Sequence, residues 1–161
     1  MVFGVLVKMW HCVPLHILPD TFHKGKHNGD FTHSGALAFM LLEYMVNNKG
    51  FRYEGFKEYW ISEMMNYQGY KDKATKNSLE YFNNGYLYGY ESTELGGVAR
   101  IGPIIYFAKS EKEALKNGVE QSQVTHTSFQ SLLLTEFFIK LIYKMLANGN
   151  IEESIKSIID E

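Results

Sequence analysis

Apolar residues recur at helical spacing through most of this chain. From Gly35 to about Asn48, Leu37, Met40, Leu41, Tyr44 and Met45 fall on one face, and Gly50 supplies a stop. Glu54 to Met65 repeats the pattern, with Phe56, Tyr59, Trp60 and Met64 on its buried side. Asp72 is an N-cap for a third helix that runs to about Asn83 and ends at Gly85. Ser110-Glu111-Lys112-Glu113 is a capping box that opens a further helix. Thr127 or Ser128 caps a long one reaching about Ala147. Its Leu133, Leu134, Phe137, Phe138, Leu141, Ile142 and Met145 are apolar almost all round, which predicts a buried central helix. Asn150 with Glu153 opens a last short helix.

The intervening segments read differently. Residues 8 to 34 carry Pro14, Pro19, Gly25 and Gly29 and read as loop; residues 84 to 98 are rich in Gly and Tyr and read the same way. Gly97 to Phe107 has the apolar content of a strand or a helix. Arg100 and Pro103 sit badly in a central strand, which favours a short helix. The pattern gives about six helices and no convincing hairpin. The expected class is all-α, a multi-helix orthogonal bundle in a single domain over residues 1–161.

Composition narrows the function classes. A chain of 161 residues can bury a core of its own. A net charge of -2 with no basic stripe argues against nucleic acid as a partner. The longest apolar run, Ala36 to Leu42, is too short to span a membrane. Met1 to Val7 is apolar but has no basic region before it, so it does not read as a secretory signal. The lone Cys12 cannot form an internal disulfide, and the expected location is cytoplasmic.

Four clusters carry candidate chemistry. His11-Cys12 with His16, and His23 with His27, are spaced as metal ligands are, but they lie in a Pro/Gly loop without the four ordered ligands of a closed site. Asp30-Phe31-Thr32-His33-Ser34-Gly35 precedes an apolar helix. It serves as a helix start, with Thr32 or Ser34 as N-cap and Asp30 at the positive end, or as a metal or phosphate site on that end. Gly96-Gly97-Val98-Ala99-Arg100 is a turn whose amides could approach an anion beside Arg100, or a plain turn with Arg100 paired to a carboxylate. Thr125-His126-Thr127 is a cap with a satisfied histidine, or a polar group facing a cleft.

Taken in order, these segments resemble the ADP-ribosylglycohydrolase family, in particular the branch that includes the J-type crystallins. The likeness runs through Gly4-Val5-Leu6-Val7 to Pro14-Leu15-His16, Gly29-Asp30-Phe31-Thr32-His33 ahead of Leu41-Leu42-Glu43, and Gly50-Phe51 with Trp60. It continues through Tyr67 to Thr75, which holds Gly69-Tyr70-Lys71-Asp72-Lys73-Ala74-Thr75, then Gly96-Gly97-Val98-Ala99-Arg100-Ile101 and Thr125-His126. The resemblance implies an all-α fold with two magnesium ions in a cleft, which hold the ribose diol and activate water at the anomeric carbon. Its substrates would be ADP-ribosylated side chains, and its ligand ADP-ribose.

The chain departs from the family pattern at the metal side. The family's Gly-Asp-Ala falls about Lys8-Met9-Trp10, and its Thr-Asp-Asp or Tyr-Gly-Asp motif falls on Ser34-Gly35-Ala36. The family's downstream Asp-x-Asp motif is not reached by Glu161. The expectation is therefore a divergent, shortened member that lacks efficient magnesium-dependent hydrolysis alone. Gly96 and Gly97 would give close backbone approach to ligand, with Arg100 and His126 beside it. Asp30, Thr32 and Ser34 would remain of the metal side. The alternatives are a competent hydrolase completed by acids from a partner chain, and a crystallin-like structural or binding protein. An uncovered apolar back on the 128–147 helix would also favour self-association.

Overall fold

The computed structural model describes residue 27 and residues 29–161. These form helices α1 (His33–Asn48), α2 (Tyr53–Asn66) and α3 (Lys73–Asn83), a 3₁₀ turn (Val98–Arg100), then α4 (Gly102–Phe107), α5 (Glu111–Ser122), α6 (Phe129–Asn148) and α7 (Ile151–Ile159). The described residues contain no strand, so the fold is all-α. The Gly4–Val7, Lys8–Trp10 and Pro14–His16 stretches, and His11, Cys12 and His23, lie outside the described residues.

Local chemistry sets most helix ends. Thr32 caps α1 by accepting from the Gly35 amide, Asp72 caps α3 through Thr75, and Ser128 caps α6 through Ser131. Asn150 caps α7 through the Glu152 and Glu153 amides. At Ser110 the capping box is shifted: Ser110 accepts from the Glu113 amide, but the Glu113 carboxylate takes the amide of Lys109. Helix α1 closes on Lys49, whose φ of 55° is left-handed, one residue before the expected stop at Gly50. The Gly97–Phe107 segment is helical as expected, but broken at Ile101 into the 3₁₀ turn and α4.

The core is built on α1, which meets α2, the 3₁₀ turn and α4. Leu41, Met45, Phe56, Trp60, Met64, Ile104 and Ile139 are its largest fully buried members. Burying each such side chain contributes about 1.5–3 kcal/mol. Helix α5 runs along α6, where Gly118 lets them close: a Cβ there would stand 2.2 Å from Cδ1 of Ile139.

The long helix α6 is not the buried centre its composition predicts. Phe129, Leu133 and Leu146 are 76%, 52% and 67% exposed. The reason is which stripe faces inward. Ser131, Thr135 and Ile139, four residues apart, point to the core, and two of the three are polar. They meet polar partners: Ser131 Oγ donates to the carbonyls of Ser92 and Glu94, and Thr135 Oγ1 lies 3.0 Å from Ser122 Oγ. Apart from the buried Leu141, the other apolar residues of α6 that are described flank that stripe, half-buried or exposed.

Two helix starts meet at His33. Its Nε2 lies 3.0 Å from Thr75 Oγ1 and 3.4 Å from Asp72 Oδ2. Burial alone would raise the Asp72 carboxyl. The His33 ring and the Thr75 amide, 2.7 Å from Oδ1, reverse this and hold it below the usual carboxylate range. Asp72 therefore stabilises the fold at pH values above the ordinary carboxylate range, near 4, and this contribution is lost as pH falls below it. Asp72→Ala removes cap and charge and should cost about 0.5–2 kcal/mol. Asp72→Asn should keep the cap but flatten the acid limb of stability, measured by urea unfolding between pH 3 and 6.

Candidate functional site

The structure joins the two downstream motifs into one buried cluster. The 3₁₀ turn delivers Arg100 inward, where it is 1% exposed. Its Nε donates to Gln121 Oε1 at 2.7 Å, and its Nη2 to the Gln121 carbonyl at 3.2 Å and to Thr125 Oγ1 at 2.5 Å. Gln121 Nε2 in turn donates to the Gly97 carbonyl at 2.8 Å and to Ser122 Oγ at 2.9 Å. Gln121 thus pins the Gly96–Gly97 turn to α5.

Thr125 Oγ1 also lies 2.7 Å from Nδ1 of His126, which is 1% exposed. Gly96 rests on the imidazole: a Cβ there would stand 2.7 Å from Cε1 and 2.8 Å from Nε2. A Cβ on Gly97 would stand 2.7 Å from Ser122 Oγ. Both glycines are needed for this approach. The loop above is held by the Gly89 amide on the Gln123 carbonyl, the Tyr90 amide on Ser78 Oγ, and the Thr127 amide on the Tyr90 carbonyl.

Electrostatics follow from burial. Loss of water pulls the Arg100 guanidinium down to about 10, against the field of Asp72, and it stays charged at neutral pH. Burial, then the neighbouring guanidinium, push the His126 imidazole down to about 3, so it is neutral. Among the described residues, Arg100 Nη1 and His126 Nε2 have no hydrogen-bond partner. A buried polar atom without one costs about 1–3 kcal/mol.

The residues expected on the metal side behave otherwise. The Asp30 carboxylate accepts from the His27 amide at 2.7 Å and lies 3.6 Å from the His27 ring. Thr32 Oγ1 is engaged as the α1 cap. The first turn of α1, which contains Ser34, has no acid. Among the described residues no three His, Cys, Asp or Glu side chains are grouped to hold a metal ion. Two magnesium ions require several oxygen ligands, chiefly carboxylates, and these residues do not fit them.

The sequence model of the ADP-ribosylglycohydrolase family matches residues 6–161. The chain belongs to that family. No curated protein is similar enough to match it. No helix among the described residues is long and apolar enough to cross a membrane.

Against this family background, Gly96, Gly97, Arg100 and His126 come together, while Asp30, Thr32 and Ser34 sit at the start of α1. Arg100 finds Gln121 and Thr125 as hydrogen-bond partners rather than a carboxylate. Gln121 was not legible in advance, because a helical glutamine reads as solvent-facing. Ser131 and Thr135, about one turn apart in a helix rich in apolar residues, did carry a signal. A cavity of about 770 Å³ lies elsewhere, lined by apolar residues including Phe31, Phe39, Leu42 and Tyr106, and by none of the predicted site residues.

Two outcomes check this cluster. Gly96→Ala should destabilise the fold by about 1–3 kcal/mol in chemical denaturation, because the imidazole or the Gly96 turn must shift to admit the methyl group. An unfolded histidine titrates near 6.5, whereas His126 in the fold resists protonation to about 3. Stability should therefore fall as pH drops from about 6.5 toward 3, and His126→Gln should remove that part of the slope.

Proposed function

We propose that this chain is an ADP-ribose-binding member of its family without efficient magnesium-dependent hydrolysis of its own. The observation that carries the reading is the convergence of Gly96, Gly97, Arg100 and His126, with unpartnered N–H and ring-nitrogen atoms on Arg100 and His126. Close backbone approach beside a guanidinium suits a phosphate-bearing ligand. Binding would lift the Gly96 turn from the imidazole, which it now covers. The metal side supports the second half of the reading. Asp30 is the one acid within the Asp30–Gly35 segment and is already held by His27. A single carboxylate cannot offset the charge of two divalent cations.

A second reading, a crystallin-like structural protein with no ligand, is favoured by the complete burial of Arg100 and His126. Titration calorimetry of the purified chain with ADP-ribose, with and without magnesium, separates these. Binding that is indifferent to magnesium is the expected outcome. Absence of binding favours the structural protein. Binding enhanced by magnesium, with release of ADP-ribose from a modified protein, would overturn the inactive reading and favour a hydrolase, completed by a partner chain if extra acids are needed.

A further inference from the structure

The hydrogen-bond count around Thr125 decides which nitrogen of His126 carries the proton. A guanidinium donates and never accepts. Arg100 Nη2 donates to Thr125 Oγ1, so that oxygen uses a lone pair there. The hydroxyl keeps one proton of its own to place. Among the described residues its other partner is His126 Nδ1. Thr125 is buried and offers that proton no water.

Two arrangements of a neutral imidazole are possible. With the proton on Nδ1, Oγ1 accepts from both Arg100 and His126. Two polar atoms are then orphaned: the Thr125 hydroxyl proton has no acceptor, and the Nε2 lone pair has no donor. With the proton on Nε2, the Thr125 hydroxyl donates to Nδ1 and only the Nε2–H is orphaned. The second arrangement spares one buried orphan, worth about 1–3 kcal/mol. We infer that Thr125 is a positioning residue that donates to Nδ1 and fixes His126 as its Nε2–H tautomer.

The assignment sets what the cluster offers a ligand. Both unpartnered atoms, Arg100 Nη1 and His126 Nε2, become donors, and the Nε2 lone pair is lost as a metal ligand. The cluster selects a group that only accepts, such as a phosphate oxygen. This consequence rests on the ligand-binding reading above; the tautomer does not.

Long-range proton–nitrogen NMR correlation on the ¹⁵N-labelled, ligand-free full chain at neutral pH reads the tautomer directly. The expected spectrum has a protonated Nε2 and a bare Nδ1 for His126. Thr125→Ser should keep this pattern. Thr125→Val, which matches the shape but has no hydroxyl, should shift it toward Nδ1–H or a mixture. A protonated Nδ1 in the wild type, or a Thr125→Val spectrum unchanged from it, overturns the inference. Should Thr125→Val not fold, the wild-type and Thr125→Ser spectra still decide. Because no ligand is present, a failure of ADP-ribose to bind would overturn the cleft reading and leave this assignment standing.

Discussion

The constraint on which this fold turns is a guanidinium with no water around it. An ion taken out of solvent loses several kcal/mol unless its neighbours replace the water. Among the described residues Arg100 has no carboxylate in hydrogen-bond contact; it is held by an amide, a carbonyl and a hydroxyl, with the field of Asp72 supporting its charge. Those partners cannot be arbitrary. Gln121 must turn its amide oxygen to Arg100, which leaves its amide nitrogen for Gly97 and Ser122. Ser122 then reaches Thr135. One buried charge thereby ties the 3₁₀ turn, α5 and α6 together, and places a hydroxyl, that of Thr135, on the inner face of α6.

The same logic governs the start of α1. The N-terminus of a helix carries positive partial charge, and two such ends face each other where α1 and α3 begin. Helix α1 brings no acid in its first turn, and its neighbour supplies one. Asp72 caps α3 and holds His33 at the head of α1, so one carboxylate serves both. Placing divalent cations beside Ser34 would add positive charge where the nearby Asp72 carboxylate is already engaged. That is why the family's metal chemistry is hard to reconcile with this chain, even though its scaffold persists.

How much was legible beforehand follows from the range of each interaction. The helices and caps depend on residues within four positions of one another, so Asp72, Ser110, Asn150 and the α1 stripe could be read from spacing. The inward stripe of α6 is hidden from composition, which counts apolar residues without saying which stripe faces in. Partners distant in sequence explain why Ser131 and Thr135 do: the Ser92 and Glu94 carbonyls for Ser131, and Ser122 for Thr135. The 3₁₀ break at Ile101 falls just before Pro103, which has no N–H to continue a helix and sits in the first turn of α4. The glycine pair and His126 were visible as motifs. Their meeting, and the part played by Gln121 and Thr125, belong to contacts 20 to 30 residues apart, which periodicity cannot reach.

Whether a buried polar cluster serves stability or binding can be argued from its leftovers. A network that exists only to hold a core together is selected to satisfy every member, since each orphan costs stability. Ser122, Thr135, Gln121 and Thr125 meet that standard. Arg100 Nη1 and His126 Nε2 do not, and both lie on residues brought together by the family's own motifs. The other orphans among the described residues are Tyr67 Oη, His33 Nδ1 on a ring that meets Thr75 and Asp72, and Trp60 Nε1 in the core. Within the polar cluster itself, among the described residues, the unsatisfied atoms are thus Arg100 Nη1 and His126 Nε2, and it is on these two that the binding proposal rests.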